Sequence, residues 1–201
     1  MATARFAQFG RDISRARDMI GLGQSIGGMT HGRVDDSDLY RFALLQSVAA
    51  LDSYVHGVTL DRAVDLLMDR VQAEPSASKI GLHFGAVRTV LAATTLADRE
   101  IAARTYIAER LAKETFQKPN AIGDALATVG IKKVWTTAFG QEAQSRMTDL
   151  SLVVARRDRI VHECDNDVTA IGSLMPLSAT DAVAAVDIVE GVVGGIDPLC
   201  V

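Results

Sequence analysis

Between residues 36 and 57 the apolar side chains return every three or four positions. Leu44, Val48, Leu51 and Val55 stand at i, i+4, i+7 and i+11, one stripe along one side of a helix. Asp36 or Ser37 is placed to cap its start, and Gly57 to stop it. No segment of the chain alternates apolar and polar residues as a half-buried strand does. Aromatic residues make up only 5% and there are 4 prolines, while alanine and leucine are plentiful, so intrinsic propensity agrees with the periodicity. The expectation is an all-α fold, a helical bundle built as one domain over residues 1–201.

The same spacing predicts the remaining elements. Phe6, Phe9, Ile13 and Ala16 mark a helix over 3–20, broken by the glycine-rich stretch Gly21–Gly28. A short helix over 60–72 turns Leu60, Val64, Leu67 and Val71 inward, and Pro75 marks a turn. A helix over 79–93 carries Ile80, Phe84, Val87 and Leu91 in register. Another runs over 96–117 and ends before Pro119, because the residue preceding a proline leaves the helical region. A brief helix over 120–129 closes at Gly130, and residues 131–140, with Trp135 and Phe139, connect it to a long helix over 141–163. Met147, Leu150, Val154 and Val161 are its expected apolar face. Asp165, Asn166 and Asp167 form a polar turn. Ser178 and Asp181 have the spacing of a capping box at the head of a last helix over 180–193, ended by Gly194 and Gly195. Residues 59–140 read as inserted or accessory helices, candidates to carry substrate or partner specificity.

Charge and cysteine content narrow the function classes. With a net charge of -4 and a pI near 5.5, the chain does not suit broad, sequence-blind DNA binding, so nucleic-acid contact is expected to be local. Cys164 and Cys200 have no framework spacing, which fits a reducing, cytoplasmic setting. Arg5, Arg11, Arg15 and Arg17 interrupt any N-terminal apolar run, so no signal peptide is expected. No uncharged apolar stretch of about 20 residues is present, and no membrane span is expected.

The chemistry-bearing stretch is Arg156-Arg157-Asp158-Arg159-Ile160-Val161-His162-Glu163-Cys164-Asp165. Arg157 offers a permanently charged fork for phosphate, and His162 an imidazole that titrates near neutral pH. Cleavage of RNA by its own 2′-hydroxyl needs a base, a cation on the crowded phosphorane and an acid for the leaving 5′ oxygen. One chain supplies one motif histidine, so two copies facing across a two-fold axis would supply both proton-transfer groups and two arginines. Asp158 stands four residues before His162 and can orient it on a continuous helix. Arg157 and His162, five apart, diverge by about 140° on an ideal helix. Arg159 and Glu163 read as an exposed ion pair. His162, Glu163, Cys164 and Asp165 are metal-ligand types in a row. Consecutive helical positions point about 100° apart and cannot share one ion, so no metal site is expected.

Arg157-Asp158-Arg159-Ile160-Val161-His162 resembles the Arg-x4-His signature of HEPN domains (higher eukaryotes and prokaryotes nucleotide-binding), in which a polar residue follows the arginine. Ala49-Ala50-Leu51-Asp52-Ser53-Tyr54-Val55-His56 resembles the upstream helix of the ribonuclease LS and prophage-encoded subset. The resemblance implies an up-and-down helical core with additional helices. It implies a metal-independent endoribonuclease acting as a homodimer on RNA without a cofactor, of a kind that serves as a toxin or in phage defence, often under an antitoxin or another regulatory protein. Carried over by position, Arg157 and His162 are the catalytic pair, Asp158 their polar support, and Asp52, with His56 beside it, a supporting candidate to hold Arg157. Some relatives are inactive and bind nucleotides or proteins instead.

Simpler readings stand beside these. Arg157 and His162 also fit cations at a helix C-terminus, favoured by the helix dipole. Asp52 and His56 fit a local hydrogen-bonded pair. The Gly21–Gly28 stretch follows no strand and has the wrong spacing for a dinucleotide loop, so a flexible interhelical loop is expected. His31 and His83 are isolated, Cys164 has no dedicated base, and Trp135 reads as a core anchor.

Overall fold

Two long antiparallel-connected helices frame the molecule, and α2, the longer, is the one against which most others pack. In the computed structural model, which describes residues 2–72 and 80–201, the order is α1 (Ala4–Thr30), α2 (Ser37–Leu67), α3 (Phe84–Ala92), α4 (Leu96–Leu111), α5 (Pro119–Thr128), α6 (Val134–Phe139), α7 (Ala143–Glu163) and α8 (Ala179–Ile196). Short 3-10 turns cover Gly140–Glu142 and Asp197–Leu199. The fold is all-α: among the described residues the one extended pairing is an isolated bridge between Asn166 and Leu174. No helix among them is long and apolar enough to cross a membrane. The Pro75 turn and the first residue of the helix expected from 79 lie outside the described residues.

The stripe of α2 is buried as its spacing requires: Leu44, Val48, Leu51 and Val55 are 0–2% exposed. Each such side chain stabilises the fold by roughly 1.5–3 kcal/mol over an exposed one. Helices α1, α4, α5, α7 and α8 all contact α2. At the far end of the molecule the Asp197 carboxylate joins both termini to this core, accepting the Thr3 N–H at 3.1 Å and the Tyr54 hydroxyl at 2.9 Å.

Several expected boundaries move, each for a packing reason. The helix over 3–20 does not break at Gly21–Gly28; α1 runs on to Thr30 and ends on His31 in the left-handed region. Its buried stripe of Phe9, Ile13, Ala16 and Ile20 continues into Gly23, where a Cβ would come within 2.7 Å of the Tyr40 ring. The glycine is there to admit Tyr40, and this docking outweighs the roughly 1 kcal/mol that a helical glycine costs. Gly57 likewise does not stop α2, which absorbs the first part of the separate helix expected over 60–72 and ends at Leu67. A Cβ at Gly57 would lie 2.7 Å from Cδ of Arg5, whose guanidinium crosses there to reach Asp61 at 2.7 Å.

The helix expected to reach residue 117 ends at Leu111, because Asp52 accepts the Phe116 N–H at 2.6 Å and Phe116 turns into the core. Pro119 opens α5 at its first turn, where its missing N–H costs no bond. The connecting segment holds the six-residue α6, and Trp135 anchors it by donating to the Pro119 carbonyl at 3.0 Å. In α3 the expected inward face is reversed. Phe84, Val87 and Leu91 are exposed, and the smaller Ala86 and Val90 are buried. The Ser178–Asp181 capping box forms, and α8 passes through Gly194 and Gly195 to bury Ile196.

Candidate functional site

Helix α7 displays the motif and remains α-helical through it. Cys164, in the left-handed conformation, is its C-cap, so His162 lies in the last turn. The inner side of the helix is Leu150, Val153 and Val154; Val161, expected inward, is 46% exposed. A neighbouring side bears Gln144, Thr148, Ser151, Ala155, Asp158 and His162, spaced four, three, four, three and four apart and therefore on one face. All of them are exposed except Asp158, which is partly so.

That face borders a groove of about 660 Å³ between α7 and the N-terminus of α5. Met147, Ser151, Leu152 and Ala155 form its α7 wall, Pro119 and Ala121 its α5 wall, and Lys118 and Asp158 its charged end. Asn120, Gln144 and Thr148 add polar lining to this groove, and Leu152 in its wall is 66% exposed.

Arg157 does not share this face. Its side chain is 27% exposed and turned toward the side of α7 that carries Leu150 and Val154, and its Nη1 donates to Oδ1 of Asp158 at 3.1 Å. The other Asp158 oxygen lies 3.8 Å from Nζ of Lys118. Asp158 is thus placed between two cations, rather than on His162 as its spacing suggested. His162 is exposed, and among the described residues it makes no hydrogen bond or ion pair. Within one chain, then, the three motif side chains form an Arg157–Asp158–Lys118 cluster and a separate free imidazole. Lys118 carries no signal of its own in the sequence: it is 40 positions from Asp158 and joins it only because Pro119 starts α5 there. Arg159 and Glu163 pair loosely at 3.8 Å, as their spacing implies.

Asp52 and His56 form a different site. Asp52 is bonded to the Phe116 N–H, to Gln117 Nε2 at 3.3 Å and to His56 Nδ1 at 3.4 Å, and does not hold Arg157. His56 faces oxygen at both ring nitrogens, with the Asp52 carbonyl 2.8 Å from Nδ1 and the Leu111 carbonyl 3.1 Å from Nε2. Only the imidazolium can donate from both. The Asp52 side chain is the main reason that the His56 pKa rises to about 9, against the opposing effect of burial. Burial pushes the Asp52 carboxyl up, but its bonds to His56, Phe116 and Gln117 carry it below the usual range. The Phe116 ring packs on His56 at 4.4 Å between centroids. This pair joins α2 to the α4–α5 connection.

Sequence reasoning also missed what anchors the end of the motif helix. Arg156, next to Arg157, points to the other side and donates from Nη2 to Oδ2 of Asp165 at 2.7 Å and to the Met175 carbonyl at 3.0 Å. Arg41 of α2 reaches the same Asp165 oxygen at 2.8 Å and the same carbonyl at 2.8 Å. Asp165 is fully buried and stands at φ 55°, part of the polar turn whose interior role no local pattern announces. Among the described residues no three His, Cys, Asp or Glu side chains gather where one ion could bind them together. Comparison with models of known protein families, with curated proteins and with solved structures finds no match to this chain.

Proposed function

We propose that this chain is a metal-independent endoribonuclease of the HEPN type, active as a homodimer, in which Arg157, Asp158 and His162 of two copies meet around one scissile phosphate. The observation that carries the reading is the unengaged His162 imidazole at the end of an open face of α7, on the same stripe as Asp158. An imidazole with no partner inside its own chain is free to hydrogen-bond a substrate group or a second copy. One chain leaves Arg157 and His162 about 140° apart, so the pair becomes useful only when a second copy brings its own motif to the first. The resemblance of the motif and of the Leu51–Tyr54 helix to the family supports the same reading. The acidic net charge confines any RNA contact to a local site and is equally compatible with an inactive binding module.

In this mechanism one His162 accepts the 2′-hydroxyl proton, the 2′ oxygen attacks phosphorus, and the second His162 protonates the leaving 5′ oxygen, giving a 2′,3′-cyclic phosphate end. Arg157, held by Asp158, contributes positive charge to the phosphorane. A toxin or phage-defence role under an antitoxin follows from the resemblance alone. The test is cleavage of mixed cellular RNA by purified wild type and His162→Ala, with and without EDTA. The expected result is EDTA-insensitive cleavage, lowered by about a hundredfold or more in the variant. Full activity of His162→Ala refutes the assignment.

A second reading has one observation in its favour: Arg157 is bonded to Asp158 and turned away from the open groove. It fits an inactive module of the same kind that binds a nucleotide or a protein, and it expects no RNA cleavage and a saturable ligand-dependent rise in Tm.

A further inference from the structure

Helix α7 is joined at its motif by a cation from another part of the chain. Lys118, at the head of α5, stands in extended backbone at φ -84° and ψ 146°, with its side chain 71% exposed. Its Nζ lies 3.8 Å from the Asp158 carboxylate, whose other oxygen accepts from Arg157. Two cations thus share one carboxylate, and the neighbouring Arg159 and Glu163 offset each other, so a chain of net charge -4 holds a local positive surplus here. Arg157 is turned away from the α7–α5 groove, and Lys118 is the cation among the groove's lining residues. The backbone beneath Lys118 is fixed on both sides. Before it, Asp52 of α2 accepts the Phe116 N–H at 2.6 Å and the Gln117 side chain at 3.3 Å, and the Phe116 ring is buried. After it, the carbonyl of the buried Pro119 accepts from Trp135 at 3.0 Å, and the Lys118 carbonyl accepts the Ile122 N–H at 3.0 Å.

We propose that Lys118 is a further RNA-contacting residue of the motif site, binding a phosphate oxygen at the charged end of the groove, and that Asp52 is its positioning residue. The proposal rests on the endoribonuclease reading and adds to it a cation that the Arg157–His162 motif does not contain. An exposed ion pair as long as Lys118–Asp158 is weak, so a phosphate oxygen competes for the ammonium at little cost. The root of the side chain is held and its tip is free, so binding orders only the side chain and not the segment that carries it. Farther along the groove Asn120, Gln144 and Thr148 offer donors and acceptors suited to a nucleotide's base and sugar. Asp52 touches no substrate in this arrangement. It fixes Phe116 and Gln117, and so sets the direction from which Lys118 approaches α7. The Leu51–Tyr54 stretch then serves the motif through Lys118 rather than by holding Arg157.

The experiment measures two things on the full chain: binding of a fluorescein-labelled, mixed-sequence single-stranded RNA whose 2′-hydroxyls are methylated and so cannot attack, and cleavage of mixed cellular RNA. The variants are Lys118→Gln, Lys118→Arg, Asp52→Ala and the double variant Lys118→Gln/Asp52→Ala, with circular dichroism melting to set a temperature at which each is folded. Lys118→Gln should weaken binding about five- to tenfold at about 50 mM salt and lower the slope of log affinity against log salt by about 0.7, as for one lost phosphate contact on a single strand. Cleavage should fall in step, and Lys118→Arg should restore both. Asp52→Ala should weaken binding by a similar factor in the wild-type background and not further in Lys118→Gln, whereas a merely structural loss would add in both. Gln117→Ala, which removes only the second of the two Asp52 bonds, takes its place where Asp52→Ala does not fold, with a smaller loss that is again absent in Lys118→Gln. Unchanged affinity and salt slope in Lys118→Gln, or no RNA binding by wild type, overturns the proposal, and cleavage that persists in that case leaves the nuclease reading standing. RNA that is bound through Lys118 but never cut upholds the contact and removes the nuclease reading. Additive losses in the double variant overturn the positioning role of Asp52.

Discussion

The Arg41 guanidinium meets Asp165 across 124 positions of chain, Nε to Oδ2 at 2.8 Å, inside the molecule. Arg156 joins the same oxygen, so one buried carboxylate balances two guanidinium groups and fixes the point at which α7 gives way to the hairpin. Replacement of Asp165 by asparagine keeps an acceptor for Arg41 and tolerates the left-handed backbone, but removes the charge and puts a buried NH2 donor in place of one oxygen. Arg156 is then left without its counter-ion, and Arg41 keeps only the exposed Asp38 at 3.4 Å. The expected cost is about 3–5 kcal/mol of unfolding free energy, as for other buried pairs broken on one side. Urea denaturation checks this, and a loss below about 1 kcal/mol would show that the cluster is not what holds α7 to the hairpin.

The His56 latch makes a pH-dependent contribution of defined sign. The imidazolium is favoured in the folded chain, with a pKa raised to about 9. Its contribution is full below the unfolded value of about 6.5 and is lost as pH rises through 9. Asp52 acts in the opposite sense: its pKa is lowered, so its contribution is present above about 4 and lost as pH falls further. With the His56 side chain one-quarter exposed, the alkaline loss is on the order of 1–2 kcal/mol. Melting temperature should fall between pH 6.5 and 9.5 in wild type (about 3 pH units around the two pKa values), and the slope should flatten in His56→Gln. Equal slopes would remove the doubly donating imidazolium from the account.

Glycines within α1 separate helix propensity from packing. A methyl at Gly21 or Gly28 meets no atom within 4 Å, so alanine there should stabilise by about 0.5–1 kcal/mol. A methyl at Gly23 would press on the Tyr40 ring, whose hydroxyl is tied to Asp36 at 2.8 Å. Alanine at Gly23 should therefore destabilise by about 1–3 kcal/mol, despite the same gain in propensity. Thermal melts of the three single variants give the comparison. A stabilised Gly23→Ala would mean that the close approach of α1 to Tyr40 is not what carries the helix through this stretch.

Helix type was legible in the chain wherever a stripe of apolar residues ran unbroken, as at Leu44–Val55 or Leu150–Val154, and where capping chemistry was local, as at Ser178 and Asp181. Helix ends were less legible, because Gly23, Gly57 and Phe116 take their conformations from Tyr40, Arg5 and Asp52, each distant in sequence. The face of α3 was misjudged for a related reason: large apolar residues do not turn inward when the helix packs chiefly on α4 and offers Ala86 and Val90 to it. At the motif, spacing correctly separated Arg157 from His162. It could not show that Asp158 turns to Lys118, that Arg156 and not its neighbour goes to the interior, or that Asp52 serves Phe116. Those depend on contacts between helices, which no single periodicity encodes.

A composite site can be told from a single-chain site by complementation. Arg157→Ala and His162→Ala should each be inactive as homodimers, because each lacks one of the two functions everywhere. In a mixed dimer the first variant still brings one His162 and the second still brings one Arg157, so a site shared between copies keeps one of each. Random assortment of an equimolar mixture makes about half of the dimers mixed, each with one of the two imidazoles and one of the two guanidinium groups of the shared site. RNA cleavage should therefore rise above that of either variant alone, while staying well below half of the wild-type rate, after the variants are mixed and allowed to exchange, and should not rise without exchange. A site formed within one chain predicts no recovery, since neither chain then holds both groups.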